Sequence, residues 1–315
     1  MPFSHHSHSG QFCDHASDTL EAMVQQAIRQ RMSSICLTEH MPRERADFYP
    51  EEIDTHTEAS LEALHHDFQR EARRLRAVYA DRIRVYIGFE GEWISPSSSA
   101  AATRALLSRW PDGDLFVGSV HHVHSIPIDF EDHMYQRARE IAGGDDRDLA
   151  VDYYDAQYEM LQTIRPPVVG HFDLIRLKSD TPDRDFRDYG PKLAGKVLRN
   201  LRFVAEYGGV LEINSSALRK GLKEPYPQNA IVREFVALGG RVTLSDDSHG
   251  VDQVGLNYRR AIEIVQEAGV ADLHHLEPAS EDSPGHDSRF PSVRWKSVSI
   301  RDLLDTHSFW KASSD

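Results

Sequence analysis

Residues 240–249 read Gly240-Arg241-Val242-Thr243-Leu244-Ser245-Asp246-Asp247-Ser248-His249, a short β-branched and apolar run that ends in two carboxylates and an imidazole. Residues 208–214, Gly208-Gly209-Val210-Leu211-Glu212-Ile213-Asn214, have the same form. So do 34–38, running into Glu39-His40; 83–89, into Glu90-Gly91-Glu92; 115–120, into His121-His122; 167–171, ending on His171 before Phe172-Asp173; and an opening run at 2–6, into His6-Ser7-His8. Between these runs, segments 18–31, 58–79, 149–164, 193–207, 229–238 and 258–268 carry apolar residues at helical spacing, as in Leu20, Met23, Val24, Ala27 and Ile28. Strand–helix alternation of this kind predicts parallel βαβ units. Seven such strands predict an α/β barrel, with a doubly wound open sheet as the competitor. In a parallel barrel the C-terminal strand ends share one face, on which active sites are built. All seven sets of polar side chains would meet there.

The chemistry of that meeting is restrictive. His6 and His8 are two residues apart, so an extended chain presents both imidazoles on one side. A buried cluster of imidazoles and carboxylates is strongly unfavourable without a cation, through desolvation and like-charge repulsion. Nitrogen and carboxylate donors, with no thiolate required, suit Zn, Mn or Fe in a hydrolytic site and disfavour an all-oxygen Ca or Mg cage. More donors are present than one tetrahedral ion can use. The 18 histidines of the chain are dispersed, many at strand ends.

Composition bounds the alternatives. Of 315 residues, 40 % are hydrophobic and 27 % charged, which supplies a core and excludes a wholly disordered chain. The net charge of −14 argues against a general nucleic-acid binder and accommodates several divalent cations. No apolar run approaches the ~18 residues of a membrane span. Two cysteines, Cys13 and Cys36, make no disulfide framework, and the opening Met1-Pro2-Phe3-Ser4-His5-His6 lacks a signal-peptide pattern, so a cytoplasmic protein is expected. Residues 1–315 read as a single domain. The stretch 277–292, rich in Pro, Ser, Asp and Gly, reads as a flexible surface loop, and 299–309 as a last helix that packs back. Oligomeric state has no signature in the sequence.

The ordered set His6-x-His8, Glu39-His40, Gly88-x-Glu90, Ser119-Val120-His121, Gly170-His171-x-Asp173 and Ser245-Asp246-Asp247-Ser248-His249 resembles the PHP (polymerase and histidinol phosphatase) superfamily. The segments Gln11-Phe12-Cys13-Asp14-His15-Ala16 and Leu211-Glu212-Ile213-Asn214-Ser215-Ser216-Ala217-Leu218-Arg219-Lys220 resemble its monofunctional histidinol-phosphate phosphatase branch, found in fungi and many bacteria. The similarity runs from about residue 2 to residue 255. It implies a distorted, TIM-like (β/α)7 barrel with a trinuclear centre of divalent ions (Zn, Mn or Fe) at the C-terminal strand ends. One ion would be held by His6, His8, Glu90 and Asp247. A second would share Glu90 and take His121 and His171. The third would be held by His15, His40 and His249. One extra residue between His8 and Cys13 keeps Asp14 and Asp18 open as alternatives to His15, and His5 competes with His6. Ser216-Ala217 stands where the branch usually has Ser-Gly.

The resemblance also implies an activity. The reaction is hydrolysis of L-histidinol phosphate to L-histidinol and phosphate in histidine biosynthesis, by attack of a metal-activated hydroxide on phosphorus. It needs no Ser or Cys nucleophile and no catalytic group beyond the metal ligands. Phosphate oxygens call for cationic donors, which arginine supplies bidentately. The candidates are Arg176, five residues after His171, and Arg219, five after Asn214. Glu92, His122, Asp173 and Asp246 are candidates to orient ligands, Glu92 alternatively to meet a cationic substrate. The competing readings are a PHP phosphoesterase acting on another phosphate monoester or nucleotide, and a non-catalytic metal-binding protein. The expected partner is a small-molecule phosphate monoester, with neither nucleic acid nor membrane.

Overall fold

The structure, a computed structural model, describes residues 2–279, 287–306 and 309. Local chemistry accounts for its helices. Helix Leu20–Arg29 starts where the Thr19 hydroxyl accepts from the Ala22 N–H, and it buries Leu20, Met23, Val24 and Ala27 on one face. Helix Glu58–Val78 opens with a reciprocal cap between Thr57 and Ser60 and buries Leu61, Phe68, Ala72 and Leu75.

The strands are β1 (Phe3–Ser4), β2 (Ser34–Leu37), β3 (Arg84–Ile87), β4 (Glu90–Glu92), β5 (Val117–Ser119), β6 (His122–Val123), β7 (Ile126–Pro127), β8 (Val168–Val169), β9 (Val210–Asn214), β10 (Arg241–Ser245), β11 (Asp272–Pro278) and β12 (Val293–Ser299). One parallel sheet has the order β1-β2-β3 and a second the order β10-β9-β8-β5-β4. Two isolated parallel bridges tie them together, His40 to Glu90 at one junction and Ser7 to Ser248 at the other. Both bridges lie among the expected ligands. In the pairing of β9 with β10, Glu212 lies opposite Thr243 and Asn214 opposite Ser245. Alternation along the strands puts these polar side chains on one face, with Leu211, Ile213, Val242 and Leu244 on the other.

The structure departs from the sequence reading in four places. The run 83–89 is not one strand. A Cβ on Gly88 would lie 2.5 Å from the Leu115 carbonyl oxygen, so the chain passes tightly there and resumes as β4 in the other sheet. Two unexpected helices stand between strands: Pro96–Arg109, capped by Ser95 with proline in its first turn, and Asp132–Ala142. A short antiparallel hairpin, β6–β7, follows β5. Finally, β11 and β12 form an antiparallel pair. That pair is fastened to the parallel sheets by the Leu276 N–H donating to His5 Nε2 (3.1 Å) and by the Tyr86 hydroxyl donating to the Leu276 carbonyl (2.9 Å). The expected loop 277–292 therefore begins inside a strand. Its portion 280–286 lies outside the described residues, and Arg289 beyond it donates to the carbonyls of Ile164 and Arg165. The last helix, Ile300–Thr306, starts where expected. Among the described residues no helix is long and apolar enough to cross a membrane.

Candidate metal centre

Glu90, the first residue of β4, is the hub. Its Oε2 lies 3.3 Å from His6 Nε2, 3.4 Å from His8 Nε2 and 3.1 Å from His40 Nδ1. Its Oε1 lies 3.5 Å from His121 Nε2 and 3.1 Å from His171 Nε2. One carboxylate thus faces five imidazoles delivered by different segments. Asp247, beyond the end of β10 and in the left-handed region at φ 47°, places Oδ1 3.7 Å from His6 Nε2, 3.5 Å from His8 Nε2 and 3.6 Å from His249 Nδ1. Donor atoms lie within 4.8 Å of one another in four overlapping groups: His6, His8 and Asp247; His8, His40 and Glu90; Glu90, His121 and His171; and Cys13, His15, His40 and His249. All nine expected ligands are brought together.

The donor chemistry fits divalent cations. His6 Nε2 and both ring nitrogens of His8 and His40 are buried without a well-formed hydrogen bond. Unsatisfied buried polar atoms are rare and unfavourable, and here they converge on carboxylates at distances suited to a shared positive charge. Electrostatics says the same. Burial alone would raise the Glu90 carboxyl and lower the His6 imidazole. Instead the imidazoles of His6, His121 and His40 hold Glu90 well below the usual carboxylate range, and Glu90, Glu212 and Asp247 hold His6 well above its ordinary value. The carboxylates draw positive charge from whatever can carry it.

Position separates the open alternatives. His5 Nδ1 lies 2.9 Å from the Thr243 hydroxyl and its Nε2 accepts from Leu276, so it serves the packing of β11 while His6 and His8 enter the cluster. Asp14 pairs with His56 at 3.1 Å. Asp18 accepts from the Val251 N–H at 3.0 Å. His15 is the residue at the cluster, its Nδ1 held 2.8 Å from Glu51 Oε1.

Several supporting groups escaped the sequence reading. Glu212 Oε2 lies 3.0 Å from His6 Nδ1 and accepts from the Ser245 hydroxyl at 2.7 Å, while Oε1 accepts from the His171 N–H at 2.6 Å and from Asn214 Nδ2 at 2.8 Å. It fixes the His6 ring so that Nε2 points at Glu90 and Asp247. Its signal was present: a carboxylate inside an apolar strand, two residues before Asn214 and on the same face. Cys13 also reaches the cluster, with Sγ 3.2 Å from His15 Nε2. Burial pushes its thiol up, but contacts with His15 and His40 outweigh that and bring it to about 7.

Of the expected orienting groups, Glu92 lies 3.0 Å from His40 Nδ1 and accepts from Arg43 Nη1 at 2.9 Å. Asp246 accepts from the Ser4 hydroxyl (3.0 Å) and from the N–H groups of Ser248 (3.2 Å) and Gly255 (2.7 Å), shaping the loop that carries Asp247 and His249. The His122 ring lies tilted against Tyr49, and burial lowers it to about 4. Asp173 accepts from Arg176 Nε and the Gln228 N–H, both at 2.9 Å. The two phosphate candidates differ. Arg219 is half-buried and donates one bond to the Asp247 carbonyl at 3.1 Å. Arg176 is buried, donates also to the carbonyls of Glu224 and Pro225 at 2.9 and 2.7 Å, and lies over the Tyr226 ring, which in turn faces His171.

The sequence profile of the PHP domain matches residues 4–216. A Schizosaccharomyces pombe protein assigned as a histidinol-phosphatase is 43 % identical over 278 residues, covering 88 % of this chain and 90 % of its own. The histidinol-phosphatase of Saccharomyces cerevisiae is 37 % identical over 285 residues, covering 81 % and 85 %. Among solved structures, histidinol phosphate phosphatase from Lactococcus lactis, complexed with Zn, L-histidinol and phosphate, superimposes with a TM-score of 0.65 at 20 % identity, covering 86 % of this chain and 95 % of that one.

Proposed function

The chain belongs to the PHP domain family, and from that membership we propose that it is a phosphoric monoester hydrolase converting L-histidinol phosphate to L-histidinol and phosphate. The observation that carries the reading is Glu90 set among five imidazoles from separate segments, in a chain that aligns along most of its length with histidinol-phosphatases. The finer fold is a distorted (β/α)7 barrel. Two parallel sheets joined at both edges by parallel bridges support it. The finer cofactor reading is three divalent ions, Zn, Mn or Fe. It is supported by the overlapping donor groups and by the zinc in the Lactococcus lactis relative. A cytoplasmic location and a small-molecule substrate, without nucleic acid, belong to the same reading.

Divalent cations at such a site supply Lewis acidity and a water of lowered pKa. The chain supplies the rest. Glu90 and Asp247 provide the negative charge that gathers cations. Glu212 and Glu92 keep the His6 and His40 rings turned inward. Half-buried Arg219, with exposed Lys220 beside it, brings positive charge to the Asp247 segment and is the cation offered to a phosphate. Arg176 backs the same wall through Tyr226. The acidic surroundings suit a substrate whose leaving alcohol carries an ammonium and an imidazole.

The deciding experiment is a panel of phosphate monoesters assayed on metal-replete protein. Histidinol phosphate should give the highest kcat/KM. A nucleotide or sugar phosphate turned over more efficiently would replace this substrate assignment. The arginines make a second expectation. Loss of one charge-assisted hydrogen bond removes about 1.5–3 kcal/mol, so Arg219→Ala should lower kcat/KM on the order of 10- to 100-fold with metal content and Tm unchanged. Arg176→Ala should lower Tm as well, because it releases Asp173 and two carbonyls. Arg219→Lys should recover only part, since an ammonium lacks the planar fork. Full activity in both alanine variants would move the phosphate clamp elsewhere, with Lys220 next to test.

A further inference from the structure

The loop 9–17 is wound so that Cys13 and His15 point the same way. The N–H groups of Phe12 and Cys13 both donate to the Ser9 carbonyl, the Ala16 N–H donates to the Cys13 carbonyl, and the Gly10 N–H donates to Ser17. A Cβ on Gly10 would lie 2.7 Å from the Ala16 carbonyl oxygen, so the loop closes on itself only with glycine there. The Ser17 N–H then donates to the His249 carbonyl at 2.7 Å, fastening the loop to the segment that carries the last imidazole. Each neighbouring ring has one nitrogen turned toward another group. His15 Nδ1 is on Glu51, His249 Nδ1 lies 2.9 Å from the Asp247 carbonyl, and His40 Nδ1 faces Glu90 and Glu92. One nitrogen of each ring and the buried Cys13 sulfur lie within 4.8 Å of one another, with His15 Nε2 at 3.2 Å from that sulfur.

We propose that Cys13 is a fourth ligand of the third cation, making that site a thiolate with three imidazoles while the other two sites hold imidazole and carboxylate donors. The inference rests on the three-cation reading given above. Four soft or borderline donors satisfy a tetrahedral ion without an open position, the pattern of a structural zinc site, whereas the carboxylate-bearing sites suit harder ions and keep room for substrate. The third site would therefore select Zn or Co over Mn, and its occupant would hold the 9–17 loop against His249.

Cobalt(II) reports a bound thiolate directly, through a near-ultraviolet sulfur-to-cobalt charge-transfer band. The chain has only two cysteines, and Cys36 lies buried within β2, so the source of a band is unambiguous. Apo-protein reconstituted with cobalt(II) should show the band. Cys13→Ser should abolish it and Cys36→Ala should keep it. Elemental analysis should fall from about three ions to about two in Cys13→Ser. With Mn(II) as the sole metal, wild-type protein should stop near two. A wild-type protein that binds three cobalt ions without the band overturns the sulfur ligand while leaving the three-cation reading intact. A wild-type protein that saturates at two ions, with no band, overturns both. Because the wild-type spectrum alone decides the point, a poorly folded Cys13→Ser would not obscure it.

Discussion

Replacement of Glu90 by Gln is expected to lower turnover of histidinol phosphate by at least about 1,000-fold, equivalent to roughly 4 kcal/mol of lost transition-state stabilisation. The amide keeps the size of the side chain and removes the charge that five imidazoles and their cations share. Two donor groups contain Glu90, so metal content should fall by about two ions. The fold should persist, because β4 is held by backbone pairing with β5 and by the bridge to His40. Far-UV circular dichroism should be unchanged. Near-normal activity in Glu90→Gln, with full metal, would remove Glu90 from the centre of the mechanism.

Arg43→Ala should produce the largest loss of stability. The guanidinium is buried between Glu92, at 2.9 Å, and Glu52, with which it also forms an ion pair, and it lies over the Tyr49 ring. Burial disfavours its charge, but the two carboxylates more than offset that and keep it cationic; the Arg43 guanidinium and the His40 imidazole in turn hold the Glu92 carboxyl low against its own burial. Removing one partner of a buried pair strands the other in a poor solvent, at about 3–5 kcal/mol. Chemical denaturation should show a loss on that scale. The double variant Arg43→Ala/Glu52→Gln should recover part of it, because one of the stranded charges is then gone. A loss below about 1 kcal/mol would mean that water reaches both carboxylates.

How much of this was legible in the sequence follows from what each residue depends on. Eight of the nine expected ligands stand beside strand ends, and a short apolar run with a polar exit is a local pattern; His15 lies in the 9–17 loop and came only from the resemblance to the PHP superfamily. His6 and His8 could be paired from period-two geometry before any partner was known. Cys13 was quoted in its motif and still not assigned, because a thiol in a loop has no periodicity to place it. Only the turns from Ser9 to Ser17 and their tie to His249 bring it in. Arg43 sits in Pro42-Arg43-Glu44-Arg45, which reads as solvated charge. Its burial comes from Glu92 and Glu52, which approach from other parts of the chain. The same holds for the break at Gly88, decided by the carbonyl of Leu115, and for β11 and β12, whose anchors are His5 and Tyr86.

The contact between Ser7 and Ser248, and the bond from Ser4 to Asp246 across 242 positions, also set an order of assembly. A growing polypeptide that has reached His171 already owns Glu90, His121 and His171. The groups containing Asp247 or His249 come into being only once synthesis has passed those residues, more than 75 positions after His171. Joining segments so distant carries a loop-closure entropy that nearby contacts avoid, and such topologies fold slowly. Cations that bind only the joined ends stabilise the closed state by mass action, in proportion to how far their concentration exceeds their dissociation constant. Metal supply during synthesis therefore bears on the rate of folding as well as on catalysis: starvation should slow the meeting of the first and last strands without preventing it.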